Sequence, residues 1–211
     1  MLTVHTFICN CIEENCHVVW DSAVSTDCWI IDCGSAAPEE FQPIRDFIAS
    51  KGLAPRLHLL THAHFDHVWG AGLVEENFGL RPTLLAAEAP FYANAPTLTA
   101  NLLGTDIGLQ LPPIGRLLAA GEVLTLGSQA FKVLSTPGHT AGSCCYYCAE
   151  SACLFSGDTL FQGTCGRTDL PSGNWEQMRQ SLARLLTLPP ATRVYAGHGM
   201  PTTIGAEQHL L

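Results

Sequence analysis

The spacing of hydrophobic and polar positions in the first third of the chain predicts strands and one amphipathic helix. From Glu39 to Lys51, apolar residues recur at helical spacing, and Gly52 stands where such a helix would end. Short apolar segments between turn residues predict strands over 2–9, 16–20, 28–32 and 57–61. The last of these is almost continuously apolar, which is typical of a strand covered on both faces.

The rest of the chain repeats this order. A helix is predicted from Asp66 to just before Gly79. Further strands are predicted over 122–126, 129–135, 143–149, 152–156 and 193–196, and helices over 175–188 and 203–210. Strands and helices that follow one another in this way predict two sheets with helices on their outer faces.

The middle segment, 82–121, is less regular because five prolines interrupt it. We expect a strand and two short helices in this segment. Two interpretations fit the pattern equally well. The segment either covers a functional site or makes a simple excursion over the surface.

Composition limits the class of protein. The chain has 211 residues, of which 47% are hydrophobic, so we expect one globular domain spanning 1–211. The net charge of −9 disfavours nucleic acid as the main partner. The sequence has no apolar run long enough to cross a bilayer and no secretory signal at its start, so we expect a cytoplasmic protein without membrane contact.

Ten cysteines are present, and in this setting we interpret them as thiols rather than as a disulfide framework. Several lie in apolar runs, where a free cysteine behaves as a small hydrophobic residue. The pairs Cys145/Cys148 and Cys9/Cys11 have a spacing that would also suit a structural zinc site. Cys165 follows a glycine-rich turn, and we expect it to be the most exposed thiol.

The segment from Thr61 to His67 places three imidazoles and one carboxylate in six consecutive positions. Imidazole and carboxylate are the usual ligands of zinc, iron and manganese in hydrolytic sites. His62 and His64 are two residues apart, so in extended backbone they project to the same side. Asp66 and His67 come where the chain turns into a helix. One strand–turn–helix corner therefore presents four candidate metal ligands.

Three later turns place a histidine or aspartate beside glycine directly after a predicted strand. They contain His139, Asp158 and His198. A single residue of this kind is usually structural, but their coincidence with the His62–His67 segment predicts one metal centre built from distant parts of the chain. Asp32 also ends an apolar strand, and we interpret it as a residue that orients a ligand imidazole.

The order HxHxDH, PGHT, SGDTLF and GHG resembles the metallo-β-lactamase superfamily over nearly the whole chain. The segments 157–171 and 197–205 further resemble single-domain glyoxalase II-like hydrolases. The resemblance implies an α+β fold, a four-layered αββα sandwich in which two mixed sheets pack face to face with helices outside. Exported β-lactamases of the best-known class carry a cysteine where this chain has Asp158, which argues against antibiotic hydrolysis.

The resemblance also implies a ligand set for two divalent metals, which would be zinc, iron or manganese. His62, His64 and His139 would hold one metal, Asp66, His67 and His198 the second, and Asp158 would bridge them. Two metals about 3.5–4 Å apart can share one water and lower its pKa to near 7. Asp66 could also orient the resulting hydroxide, and is our candidate catalytic residue.

The implied reaction is hydrolysis of an acyl thioester, such as a 2-hydroxyacyl derivative of glutathione or a similar thiol. Larger glyoxalase II enzymes recognise the thiol through an additional helical domain, which has no counterpart in the printed sequence. We therefore expect recognition by Arg167, Tyr146 or Tyr147, or by the partner subunit of a homodimer. Arg167 can bind a carboxylate through two hydrogen bonds, although a structural pair with Asp169 is as good an interpretation.

Two other functions share this fold. Persulfide dioxygenases resemble the chain in the same motifs and use one iron, for which His62, His139 and Asp158 would be the ligands. That facial triad leaves positions open for oxygen. The Leu160-Phe161 and Leu170-Pro171 pairs favour the hydrolase. A nuclease is disfavoured because the chain is acidic and lacks a basic stripe.

Overall fold

The protein contains two six-stranded β-sheets, described over residues 1–210 in a computed structural model. The strands of the first sheet follow chain order from β1 to β6. They are β1 (Leu2–Cys9), β2 (Glu14–Asp21), β3 (Asp27–Ile31), β4 (Ala54–Leu59), β5 (Pro82–Leu85) and β6 (Arg116–Leu118). The first three are antiparallel and the pairs from β3 to β6 are parallel, so the sheet is mixed.

The second sheet is built from the later half of the chain. Its strands are β7 (Val123–Leu126), β8 (Gln129–Ser135), β9 (Cys144–Cys148), β10 (Cys153–Gly157), β11 (Arg193–Ala196) and β12 (Thr202–Thr203). They lie in the order β12-β11-β10-β9-β8-β7. Only the β10–β11 pair is parallel, because helix α5 (Trp175–Leu185) connects these two strands across the outer face.

The two sheets pack face to face through one apolar core. Val19 and Trp29 of the first sheet lie in this core with Phe131, Tyr146 and Phe155 of the second. The rings of Trp29 and Phe131 are 4.9 Å apart between centroids, in a tilted arrangement. Burial of such large side chains on both inner faces holds the sheets together.

Helices cover the outer faces. The other helices are α1 (Pro38–Ser50), α2 (Phe65–Val68), α3 (Ala71–Phe78), α4 (Ala89–Leu103) and α6 (Ile204–Glu207). On the first sheet, Phe41 and Ile44 of α1 pack against Ile30. On the second, Met178 and Leu182 of α5 pack against the strands. The arrangement confirms the predicted four-layered αββα sandwich.

Two predicted helical regions differ from the structure. The helix expected from Asp66 to before Gly79 is divided into α2 and α3 by Gly70. The Gly70 amide donates to the carbonyl of Cys33. A Cβ at this position would overlap the Cys33 Sγ atom. The segment 82–121 contains β5, a 3₁₀ helix (Ala86–Glu88), the 15-residue helix α4 and β6, so one of its two helices is long rather than short. Pro96 is accommodated inside this helix, and Tyr92 anchors the following loop by donating to the carbonyl of Pro112.

Among residues 1–210, no helix has both the length and the apolar character needed to cross a membrane.

Candidate metal centre

The corner after β4 presents His62, His64, Asp66 and His67 from one rigid segment. Asp32, at the end of β3, accepts hydrogen bonds from the Thr61 amide at 2.8 Å and the Thr61 hydroxyl at 2.7 Å. The amide of Ala63 donates to Glu88 at 2.9 Å. Buried carboxylates on two neighbouring segments therefore fix the backbone from which the ligand side chains project.

Three turns of the second sheet bring His139, Asp158 and His198 to the same place. His139 follows β8, Asp158 follows β10, and His198 follows β11. Gly157 has a φ of +47°, and a Cβ there would overlap the side chain of Thr61. Glycine at this position thus lets the Asp158 turn approach the corner of the first sheet.

All seven ligand candidates predicted from the sequence converge at this edge of the sandwich. Ligand atoms of His62, His64 and His139 lie within 4.8 Å of one another, and so do those of Asp66, His67 and His198. Asp158 lies between the two groups, because its Oδ1 is 3.2 Å from His67 Nε2 and its Oδ2 is 3.4 Å from His139 Nε2.

The hydrogen bonds of four imidazoles indicate which ring nitrogen remains free for a metal. The Nδ1 atom of each ring faces an oxygen: that of Thr61 for His62, of Asp32 for His67, of Arg167 for His139, and of Ile12 and Glu13 for His198. If Nδ1 donates, each Nε2 presents a lone pair towards the centre, which is the usual arrangement in metal-binding histidines.

Burial and charge also fit a divalent metal site. His62 Nε2 and Asp158 Oδ1 are buried without a hydrogen-bond partner among the described residues. Burying such atoms is unfavourable in free energy unless an ion coordinates them. Burial lowers the pKa of His62 well below its ordinary value, so the ring is neutral and able to bind a metal. Although burial alone would raise the pKa of Asp158, the adjacent His67 and His139 hold it well below its ordinary value when their rings are protonated.

Three supporting residues were missed by the sequence analysis. Glu14 is fully buried beside Asp32 and His67 and accepts from the Gly34 amide at 2.8 Å. Asn15 donates to the carbonyls of Ala196 and Gly199 and thereby fixes the turn that carries His198. Glu88 supports the His62–His64 segment. Nothing in their local sequence distinguishes these residues, since their partners are distant along the chain.

The metal centre opens into a cleft lined in part by Phe161, Arg167 and Leu170. Arg167 is the cationic side chain of this cleft. Its guanidinium makes two hydrogen bonds of 2.7 Å to Asp169, so the structural pair considered from the sequence is present, and both side chains are exposed.

The two tyrosines do not reach this cleft. Tyr146 has no exposed surface and donates to the Leu60 carbonyl at 2.6 Å, so its expected contact with substrate is wrong: the ring belongs to the core between the sheets. Tyr147 points to the opposite face of β9 and packs with the cluster beneath α5. Alternation along the strand sends neighbouring side chains to opposite faces, and neither face is the cleft.

The cysteines differ from expectation in their order of exposure, and one of the two alternative zinc pairs is not supported. Cys11 is exposed and Cys165 only partly so, which reverses the expected order of accessibility. Cys145 lies beneath α5 whereas Cys148 lies between the sheets, so these two thiols do not converge on one ion. All ten cysteines are free thiols in the structure.

Fold and site together define a metal-binding αββα protein. Residues 10–198 match the family described as the metallo-beta-lactamase superfamily, and the chain belongs to it. The "Probable metallo-hydrolase YqgX" of Bacillus subtilis is 38% identical over 182 residues, covering 86% of this chain and 84% of that protein. The "Hydroxyacylglutathione hydrolase GloC" of Haemophilus influenzae is 34% identical over 203 residues, covering 93% and 90%. The chain is therefore a metallo-hydrolase-type enzyme of this superfamily.

Solved structures agree with this assignment. The chain is similar to BLEG-1, described as a B3 metallo-beta-lactamase, with a TM-score of 0.88, 33% identity, and coverage of 98% of this chain and 97% of the other. It is also similar to TTHA1623, solved in a di-iron-bound form, with a TM-score of 0.82, 37% identity and 96% coverage of both chains.

Proposed function

We propose that this protein hydrolyses acyl thioesters at a two-metal centre, with a 2-hydroxyacyl-glutathione or a similar thiol ester as substrate. The observation that carries the proposal is the position of Asp158 between two groups of ligand atoms. That arrangement favours two ions over one. The similarity to GloC supports the thioester class.

The metal-binding and catalytic roles would be distributed among these residues as follows. His62, His64 and His139 would hold one metal, Asp66, His67 and His198 the other, and Asp158 both. When bound, zinc, iron or manganese would lower the pKa of a water, supply hydroxide near neutral pH and polarise the thioester carbonyl. Asp66 Oδ2, 3.1 Å from His198 Nε2, would orient the attacking oxygen. The departing thiol has an ordinary pKa of about 8.5, so it leaves as thiolate with little protonic assistance.

Arg167 is the proposed binding residue for an anionic thiol. It stands in the cleft, and its pairing with Asp169 leaves part of the guanidinium free to donate to a carboxylate. We further propose that the protein acts on a free small molecule in the cytoplasm, where a reducing environment keeps the ten cysteines as thiols. A homodimer remains part of this proposal.

A persulfide dioxygenase is the second candidate function. His62, His139 and Asp158 belong to the same cluster and would suffice to hold one iron. In that case His67 and His198 would be dispensable for the chemistry.

One experiment separates the candidates. The purified protein is analysed for metals per chain and offered S-lactoylglutathione, glutathione persulfide with an oxygen electrode, and a chromogenic β-lactam because of the similarity to BLEG-1. We expect two metals and thioester cleavage without oxygen uptake. Oxygen consumption with one iron per chain would overturn the thioesterase proposal, and exclusive β-lactam cleavage would do so too.

His198→Ala provides an independent test. A two-metal hydrolase should lose most of its activity and one metal per chain, whereas a mononuclear dioxygenase should keep much of its activity. His209→Ala is the matched control, because His209 is exposed and lies outside the ligand cluster, with its Nδ1 2.9 Å from the Ala206 carbonyl.

A further inference from the structure

The loop that follows β10, residues 159–167, forms one side of the cleft. Phe161 and Arg167 line the cleft from this loop. The Phe161 ring meets the His198 ring edge to face, with 6.1 Å between the ring centroids. The carbonyl oxygen of Arg167 lies 2.7 Å from His139 Nδ1. The position of the loop therefore affects the side chains that face the substrate and the orientation of a ligand imidazole.

The two parts of this loop are held in different ways. At its returning end, a Cβ on Gly166 would overlap the Asp158 carbonyl oxygen and would lie 3.0 Å from His139 Nδ1. Glycine thus lets this end pack directly against the metal centre. At the tip, residues 162–164 are exposed. Exposed loop tips are usually mobile, so the tip needs a separate support if the loop is to keep one conformation.

A hydrogen bond to Glu207 supplies that support. The amide of Gly163 donates to Glu207 Oε2 at 2.8 Å. Within the loop, the amide of Phe161 donates to the carbonyl of Thr164, which closes a tight turn. Among residues 1–210, the bond to Glu207 is the hydrogen bond that joins residues 161–165 to another segment of the chain.

Glu207 is a fixed point for this bond. Its side chain is buried, and its Oε1 accepts from the Thr202 hydroxyl at 2.5 Å. Ile204 begins the same short helix, α6, and is fully buried in the cluster beneath α5. Since the packing of Ile204 anchors α6 to the second sheet, the bond to Gly163 ties the loop tip to a rigid part of the fold.

We propose, on the basis of the thioesterase function above, that Glu207 is a positioning residue for substrate recognition. Its carboxyl group holds the 159–167 loop in the conformation that presents Phe161 and Arg167 to the thiol part of the substrate. Glu207 acts through the loop and does not touch the reacting atoms. Without the bond, the loop tip would have to be ordered each time substrate binds, and that ordering would weaken binding.

Glu207→Ala tests the proposal through KM and through binding of the thiol. We expect KM for S-lactoylglutathione to rise at least about fivefold, the effect expected for a lost contact of an exposed cation. Isothermal titration calorimetry of glutathione with the zinc-loaded protein should show a similar loss of affinity. Both metals should remain bound, because no ligand is removed. Unchanged KM and unchanged glutathione affinity would overturn the inference.

Two further variants separate positioning from general stability. Glu207→Gln can still accept from the Gly163 amide and can donate to the Thr202 hydroxyl, so it should retain the KM of the unaltered protein. Thr202→Val removes the other hydrogen bond of the carboxyl group and should lower the thermal stability without changing KM. An equal rise in KM in Thr202→Val and Glu207→Ala would show that Glu207 only stabilises the fold.

A shorter side chain provides a second route if Glu207→Ala does not fold. Glu207→Asp keeps a carboxyl group in the buried site but cannot span the distance to Gly163. We expect it to raise KM and weaken glutathione binding as Glu207→Ala would, and a value equal to that of the unaltered protein would contradict the proposal.

The measurements also distinguish this inference from the proposed function. If the metal-loaded protein cleaves no thioester, the proposed function is wrong, and glutathione binding by the variants still decides the role of Glu207. If thioesters are cleaved but the Glu207 variants bind glutathione normally, only this inference fails. A protein that neither cleaves thioesters nor binds glutathione would contradict both.

Discussion

Asp32 Oδ2 lies 3.0 Å from His67 Nδ1, and the same carboxylate accepts both hydrogen bonds of Thr61. Asp32 adopts a left-handed backbone conformation, with a φ of +55°, to reach these partners. The side chain thus joins the end of β3 to the ligand-bearing corner after β4. It fixes both the ring orientation and the tautomer of His67.

Asp32→Asn should weaken the half-site that contains His67. An amide cannot accept from both Thr61 and His67 as the carboxylate does, so we expect the affinity for one metal per chain to fall about 10–100-fold. The measurement is chelator competition followed by metal analysis. Asp27→Asn, at an exposed ion pair with Arg56, is the matched control and should retain both metals. Equal loss in both variants would show that Asp32 acts only through general stability.

Gly197→Ala should damage the centre without unfolding the protein. A Cβ at this position would overlap Asp158 Oδ1 and His67 Cε1. Because small displacements of reacting groups are costly, we expect a loss of activity of about 100-fold with little change in circular dichroism. Gly72→Ala in α3 has its nearest atom at 3.8 Å and should keep full activity. Normal metal content and activity in Gly197→Ala would contradict the assigned role of Asp158.

Arg167→Ala should raise KM selectively for thioesters of anionic thiols. The side chain is largely exposed, so water screens its charge and we expect KM to rise only about fivefold. Steady-state kinetics with glutathione esters and with esters of an uncharged thiol would separate charge recognition from general damage. Asp169→Asn frees the guanidinium and should change KM in the opposite direction. A change that is equal for both thiols would exclude Arg167 from anion recognition.

Glu88 should make folding stability depend on pH. Burial raises its pKa from 4.5 to about 7, despite hydrogen bonds from Thr140 and Ala63 that oppose the rise. The folded state therefore holds this proton over a wider range than the unfolded state, and stability is lost as pH rises from about 4.5 to 7. Glu88→Gln removes this loss, so its stability relative to the unaltered protein should improve by up to about 3 kcal/mol between pH 5 and pH 8.

Urea denaturation at the two pH values measures this difference, since pH effects common to both proteins cancel. Glu88→Ala is the contrasting variant. It leaves the amide of Ala63 without its acceptor and should already be destabilised at pH 5, where most of the pH-dependent loss has not yet occurred. Parallel pH profiles for the unaltered protein and Glu88→Gln would contradict the raised pKa.

Features that depend on residues close together in the sequence could be predicted, whereas features that depend on distant residues could not. Helices α1 and α5 were predicted because their apolar periodicity is local, and the His62–His67 corner because its ligands are consecutive. Tyr146 was misplaced because alternation separates the two faces of a strand but does not show that both are covered, as they are in β9. The length of helix α4 was underestimated because proline was given more weight than the tertiary contacts that tolerate Pro96. Glu14, Asn15 and Glu88 have partners that only the folded chain brings near.

The division of the ligand set between the sheets has a thermodynamic consequence. The His62–His67 corner belongs to the first sheet, whereas His139, Asp158 and His198 follow strands of the second. An ion bound across this boundary would cross-link the sandwich and would bind the folded chain far better than the unfolded one. Ion binding and the packing of the two sheets are therefore thermodynamically linked. A fall in the concentration of free ion would lower the free energy of unfolding of the whole sandwich.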